Sequence, residues 1–495
     1  MIQLRASRAS TASAAAGDEP KRPSQQVNMT SFDADDYGPG FTNRRLLVFL
    51  GIVAGYMGLY FTRGSLTYTA PVMLTDPALS MTLTDIGVMT SAFPLAYGVS
   101  KFVGGVLGAR FSARIMLGGG LLLTAFVNLA LGMCTSVPQF AGLWFLNGSL
   151  QGIGAPASAM LLTSWFASTE RGTWWGLWNI GANVGGFVTP LLVGSVASAW
   201  GWQWGMWVPG CIGLSLALFS LAVVRDSPEE AGFSPDCAKS FDEAHAPSPR
   251  VAAAAAAAAA QPPQEKGGGI REAFAHTIAN RGVWLLAFTY FFIYIVRQGA
   301  TSWLMMFLMQ QKGTADAATA AYSVSGLELG GLVGGTLAGI ISDSRIKAAI
   351  AAGASDEGGH VGKRVQTVMM YVVGTMAVLL VLRVVPSSSL PLQWLCIAAL
   401  GFTIYGPQML IGLCGAELVQ KSAVSASQGV LGLVAYMGAS CSGIPLSYII
   451  QHYGWNGYFA AMAAACVCAL ALLYPLANAR SFAQDRDQPV VAASQ

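Results

Sequence analysis

Two short stretches hold the residues best suited to chemistry. In YFTRGSL, residues 60–66, Arg63 follows Tyr60, and in YIVRQGA, residues 294–300, Arg297 follows Tyr294 at the same spacing. Both arginines lie well inside apolar runs. A charge at the centre of a bilayer costs about 2.5–3.5 kcal/mol on insertion scales, so such a side chain usually faces a cavity and serves function. The planar guanidinium makes bidentate, charge-assisted bonds to two oxygens of a phosphate, and two arginines on related helices can clamp one dianion from both sides. Tyr60 and Tyr294, each one turn before its arginine, share its helix face and can add hydroxyl donors; helix-interface packing is their alternative role. Lys101 is a third embedded cation, near the end of its apolar segment, where snorkelling to the interface is the alternative. Glu328 is the carboxylate deep in a span. Arg297 is its expected counter-charge, with a proton or a substrate hydroxyl as other partners and a structural salt bridge as the alternative. Asn183 and Gln408 are candidate hydrogen-bonders for polar hydroxyls, with helix packing as their alternative.

The elements that position these groups follow from composition. With 54% apolar residues, 10% charged residues and 58 glycines, and a mean hydropathy of +0.53, the chain is too apolar for a water-soluble domain. Windows of about 20 apolar residues centre on 46–70, 84–107, 114–134, 139–162, 173–198, 204–224, 283–309, 319–342, 366–386, 391–416, 424–450 and 455–477. These predict an all-α membrane protein with twelve transmembrane helices in two pseudo-symmetric six-helix bundles. Most of the 27 Lys and Arg fall on the side shared by both termini, which the positive-inside rule assigns to the cytosol.

The domain reading is a cytosolic N-terminal tail over 1–43, a first bundle over 44–224, a low-complexity linker over 225–282 with nine consecutive alanines, a second bundle over 283–478, and a cytosolic C-terminal tail over 479–495. The Ser- and Ala-rich start reads as a disordered tail, with a targeting peptide as the second reading. His245, His276, His360 and His452 all fall in linkers or loops, which excludes a histidine-dependent membrane hydrolase, and no phosphate loop of the nucleotide-binding type occurs. The eight cysteines have no paired spacing and read as small apolar residues. No catalytic residue, cofactor or metal site is expected.

The chain also repeats. GIISDSRIKA, from Gly339, stands as far beyond GVLGARFSAR, from Gly105, as Arg297 stands beyond Arg63, the signature of two related halves around a central site. The Gly-x-x-x-Asp pattern followed by basic residues resembles the signature loop of the major facilitator superfamily. Gly339, Asp343 and Arg345 fit it; in the first half Ala109 takes the Asp position, while Arg110 and Arg114 remain. The stretches YGVSKFVGGVL (97–107), LWFLNGSLQGIG (143–154), WFASTERGTWWGLWN (165–179), NVGG (183–186), GLELGGLVGG (326–335) and YGPQMLIGL (405–413) closely resemble the organophosphate:phosphate antiporters within that superfamily.

The resemblance implies exchange of a sugar phosphate for inorganic phosphate by alternating access, with Arg63, Arg297, Lys101, Tyr60 and Tyr294 at the site and Arg110, Arg114, Asp343 and Arg345 in the gating loops. It implies a transporter and no enzyme. Its partners are the sugar phosphate, inorganic phosphate and the lipid bilayer, with no nucleic acid, and it works as a monomer. Glycerol-phosphate members carry a histidine where this chain has Ala182 and a basic residue where it has Gly64, and the bacterial hexose-phosphate member carries an opposite-charge pair that YMGASCSG (436–443) lacks. Glucose 6-phosphate is therefore the expected substrate, with glycerol 3-phosphate exchange or a non-transporting sugar-phosphate sensor as alternatives. Likeness of the first six helices to the eukaryotic glucose-6-phosphate translocase favours an endoplasmic reticulum membrane, with plastid or plasma membrane as alternatives.

Overall fold

The computed structural model describes residues 40–107, 111–166, 171–233, 270–314, 316–351, 360–386, 389–420 and 423–480. The tails and most of the linker lie outside these residues, as does Arg110. Every regular element among the described residues is helical, as a bilayer demands of any chain that must satisfy its backbone hydrogen bonds internally. Among the described residues, nine helical stretches are long and apolar enough to cross a membrane, and one of them, Ala426–Leu476, is long enough for two passes.

In the first half, α1 (Phe41–Thr75), α2 (Leu83–Leu107), α6 (Arg171–Trp200) and α7 (Trp202–Val223) are each long and apolar enough for one pass, and the apolar but shorter α3 (Ile115–Leu131) stands at the place of the third. The fourth pass, expected as one helix over 139–162, is two: α4 (Val137–Gln151) and α5 (Gly154–Trp165), separated by a turn at Gly152. A side chain at Gly152 would collide with Ser100 and with the Lys101 backbone of α2, so close packing there favours glycine over helix continuity. A capping box at Ser136 and Gln139 starts α4.

The second half holds α9 (Arg281–Gln310), α10 (Ala317–Ala351), α11 (His360–Val384), α12 (Leu390–Glu417), α13 (Val424–Cys441) and α14 (Ile444–Leu473). Asn280 caps α9, its side chain accepting from the Gly282 and Val283 amides. Gly454, at φ 63°, breaks α14 and separates the eleventh pass from the twelfth. A short helix, α8 (Ile270–Ala279), lies within the segment read as linker. Twelve passes put both ends of the described chain on one face of the molecule, here called the terminal face; the opposite one is the far face.

The halves meet through α2 against α13 and α14, and α6 against α10. Hydrogen bonds between them run from Thr84 Oγ1 to Gln451 Oε1 at 2.6 Å, from Ser91 Oγ to the Ser440 carbonyl at 2.7 Å, and from Ser440 Oγ to the Ser91 carbonyl at 2.9 Å. Gly194 adds a close approach to Ala321. These hydrogen bonds and the Gly194 approach lie on the far-face side of the two arginines, so the interface between the halves is closed at that end; nearer the terminal face α2 and α13 also touch, where Gly429 leaves room for the Phe102 ring.

Candidate functional site

The arginine of each half is held by its own half. Around Arg63, the fully buried Thr62, Ser65, Asn128, Asn147 and Gln151 form one polar network between α1, α3 and α4. Asn128 and Asn147 both donate to the Thr62 carbonyl, at 3.1 and 3.2 Å, and Gln151 Nε2 donates to Thr62 Oγ1 and Asn147 Oδ1 at 3.2 and 2.8 Å. Gln151 spends its remaining acceptor on Arg63, whose Nε donates to Oε1 at 3.1 Å. The guanidinium lies 4.7 Å from the Tyr60 ring centre and 4.9 Å from that of Tyr97, a cation–π seat that stabilises the charge without neutralising it.

Arg297 sits differently. Its Nη2 donates to the Tyr405 hydroxyl at 3.3 Å, and that hydroxyl donates to Glu328 Oε1 at 2.6 Å. The Tyr405 ring lies 4.9 Å under the guanidinium. This relay depends on unusually close packing of α10 on α12: a Cβ at Gly330, Gly334 or Gly401 would collide with the facing backbone, and Gly331 leaves the space that the Tyr405 ring occupies. Across the interface, Gly186 of the NVGG stretch lets the Glu328 carboxyl approach α6.

Arg63 and Arg297 line one cavity between the halves, together with Tyr60, Glu328, Tyr97 and Tyr436. Hydroxyls and an amide from Thr67, Thr90, Thr301 and Gln298 complete its polar wall. In each guanidinium one buried nitrogen, Arg63 Nη2 and Arg297 Nε, has no hydrogen-bond partner. An orphaned charged donor is costly unless something else supplies its acceptor.

The other expected site residues are placed as follows. Lys101, one turn of α2 nearer the terminal face than Tyr97, is exposed, with Nζ 5.6 Å from the Tyr436 ring centre. Tyr294 is buried edge-on to Tyr290 at 4.8 Å and to Tyr436 at 5.3 Å, and is not among the cavity-lining side chains. Its counterpart Tyr60 does line the cavity; in the second half Tyr436 fills the space in front of Tyr294. Asn183 is half-buried and donates to the Asn179 carbonyl, and Gln408 lies outside the lining, its backbone carbonyl taken by the Tyr290 hydroxyl.

Asp343 and Arg345, expected in a gating loop, stand in the terminal-face end of α10; Asp343 pairs with Arg364 at 2.8 Å, and the same arginine makes two 3.0 Å bonds to Glu417. Arg345 instead donates to Gln366 at 3.0 Å. With Ala109 in the first half's acid position, Arg114 draws on the end of α7 and the segment after it. Its amide donates to Asp226 at 2.6 Å, its guanidinium to the Leu221 carbonyl, and Glu230 lies 3.9 Å away.

Sequence reasoning missed Tyr97, Tyr405, Tyr436 and Gln151 as site residues, although three of them stand in the stretches that carry the family resemblance and Tyr436 in one that departs from it. Tyr405→Phe keeps the ring but cuts the link between Arg297 and Glu328. Hydrogen bonds to charged groups contribute about 1.5–3 kcal/mol, so phosphate affinity in exchange assays is expected to fall about tenfold with protein yield unchanged. Wild-type affinity in this variant would remove the relay from the site.

Two six-helix bundles closed at one end around a cationic cavity are the architecture of an alternating-access membrane transporter. The family model of the Major Facilitator Superfamily matches residues 52–443. The membrane sensor protein UhpC of Salmonella typhimurium is 35% identical over 462 residues, covering 93% of this chain and 97% of its own. A probable hexose phosphate transport protein of Chlamydia pneumoniae is 36% identical over 442 residues, covering 88% and 91%. Among solved structures, a bacterial homologue of the human lysosomal transporter Spinster, inward-facing and unoccupied, matches with a TM-score of 0.66 at 18% identity, covering 90% of this chain and 99% of its own. The chain belongs to the Major Facilitator Superfamily and, within it, to the organophosphate:phosphate antiporter family. It is a multi-pass integral membrane protein and no enzyme. These two sequence relatives are bacterial and lend no support to an endoplasmic reticulum or plastid membrane.

Proposed function

We propose that this protein is a secondary active transporter that exchanges a hexose phosphate, glucose 6-phosphate first, for inorganic phosphate. The observation that carries this reading is the pair of arginines on α1 and α9, which line one cavity and each keep a buried donor without an acceptor. Phosphate oxygens supply those acceptors, and a bidentate fork from either side orients the ester. Arg63, with aromatic rings and an amide but, among the described residues, no carboxylate bonded to it, is the less compensated cation; Arg297 has Glu328 through Tyr405. An empty cavity leaves these charges in a low-dielectric path between conformations, and a bound phosphate removes that penalty, which favours obligatory exchange over leak.

Gly64 lines the cavity where, by the family resemblance, glycerol-phosphate members carry a basic residue. Thr189 and the Tyr68 ring pack against this glycine, so it is the missing charge that favours a hexose phosphate in this reading. Tyr60 and Lys101 complete the phosphate side of this reading, and the basic residues at the terminal face support a cytosolic position for that face.

Identity of 35% to a protein named as a membrane sensor favours one second reading, a sugar-phosphate receptor with the transporter fold. Uptake of labelled phosphate into proteoliposomes preloaded with phosphate, glucose 6-phosphate, glycerol 3-phosphate or buffer separates the two. The transporter requires uptake that depends on a phosphate compound inside, greatest with glucose 6-phosphate among the esters. Absence of uptake from every preload, in folded protein that binds glucose 6-phosphate, establishes the receptor.

A further inference from the structure

On the outer surface of the second half, away from the central cavity, a groove runs between α11 and α14. Met370, Val373 and Leu470 form its apolar floor, and Arg345, Gln366 and Tyr474 stand at its terminal-face end. The floor is open: Met370 is 48% exposed, Val373 55% and Tyr474 75%. Val373 lies two turns deeper along α11 than Gln366, and Leu470 one turn before Tyr474, so the groove passes from polar side chains at its mouth to wholly apolar ones within the membrane span.

The cation at the mouth is fixed and uncompensated. Arg345 Nη2 donates to Gln366 Oε1 at 3.0 Å, and Gln366 Nε2 donates to the Ala477 carbonyl at 2.9 Å, which ties the arginine to the end of the twelfth pass. The neighbouring acid Asp343 is turned to Arg364. No carboxylate among the described residues pairs with Arg345. A tyrosine and an arginine at headgroup depth above an apolar floor at acyl depth match the two ends of a phospholipid, and basic pockets between transmembrane helices on a membrane face recognise anionic headgroups.

We infer that this groove seats one anionic phospholipid, with its phosphate on Arg345 beside Tyr474 and an acyl chain along Met370, Val373 and Leu470. Charge complementarity selects the headgroup, and the apolar floor selects a lipid over any free phosphate. The groove is distinct from the substrate cavity, since none of these side chains lines that cavity.

The test is native mass spectrometry of the full chain released from detergent with equal amounts of phosphatidylglycerol and phosphatidylcholine bearing the same acyl chains. The first bound lipid is expected to be phosphatidylglycerol by about fivefold, the effect of one basic side chain at a membrane surface. Arg345→Ala is expected to bring the two lipids to parity and Arg345→Lys to retain the preference. Val373→Trp, which fills the floor and leaves the charge, should lower the first adduct of both lipids. Thermal unfolding of each variant identifies loss of fold, and the tryptophan and lysine variants keep the test decisive if the alanine variant is unstable. No preference in the wild type, or an undiminished preference in folded Arg345→Ala, overturns the site.

Discussion

Arg63→Lys and Arg297→Lys should each lower phosphate exchange by on the order of a hundredfold while leaving the protein folded in the membrane. Lysine keeps the charge but loses the planar fork, and two charge-assisted bonds at about 1.5–3 kcal/mol each amount to that factor or more. The two losses differ in character. Lysine at 63 also gives up the Nε bond to Gln151 that anchors the guanidinium to the buried network of α1, α3 and α4, so both affinity and maximal rate should fall. At 297 the ammonium can still meet the Tyr405 hydroxyl, and the loss should appear mainly as weaker phosphate binding. Initial rates over a range of phosphate concentrations, normalised to folded protein, make the comparison. Wild-type rates in both variants would remove the clamp.

Joining the halves at the far face should stop exchange altogether, and reversibly. Ser91 and Ser440 each donate to the other's carbonyl, at 2.7 and 2.9 Å, which brings the two backbones close enough for a disulfide to be built there. In Ser91→Cys/Ser440→Cys, oxidation is expected to reduce exchange to the level of empty liposomes, and a thiol reductant to restore it. Each single variant should ignore both treatments. A protease site introduced into the linker between the halves lets the cross-link be read on a gel. Full exchange by protein shown to be cross-linked would mean that the far face need not part here, and the rocking of one half against the other would have to be abandoned.

The arginines, the twelve passes and the repeat were legible because each rests on local chemistry. A bilayer filters sequence harshly: a span must be about 20 residues of mostly apolar side chains, and a charge inside it stands out against that background. Tyr405, Gln151 and Tyr436 were not legible in the same way. Tyrosine and glutamine are ordinary in membrane helices, and what makes them part of the site is which helix faces which. Nothing local to YGPQMLIGL says that Tyr405 will stand between a carboxylate and a guanidinium.

Local patterns also misled where packing decides. Tyr60 and Tyr294 occupy matching places in the repeat, yet Tyr60 lines the cavity and Tyr294 is covered by Tyr436. Asp343 and Arg345 are near neighbours in sequence, yet they take partners on other helices, Arg364 and Gln366. The fourth pass read as one helix and is broken at Gly152, where α2 comes too close for a side chain.

Membrane class, number of passes and the embedded cations follow from the order of residues alone, because the cost of placing a side chain in hydrocarbon depends on that side chain and its immediate neighbours. Which of those cations share a cavity, which is compensated by Glu328, which terminal-face arginine is tied to Gln366 and which to Asp343, and which end of the interface is shut were decided by tertiary structure. Those outcomes depend on glycine-mediated close approach between helices far apart in sequence, a distance that no local pattern encodes.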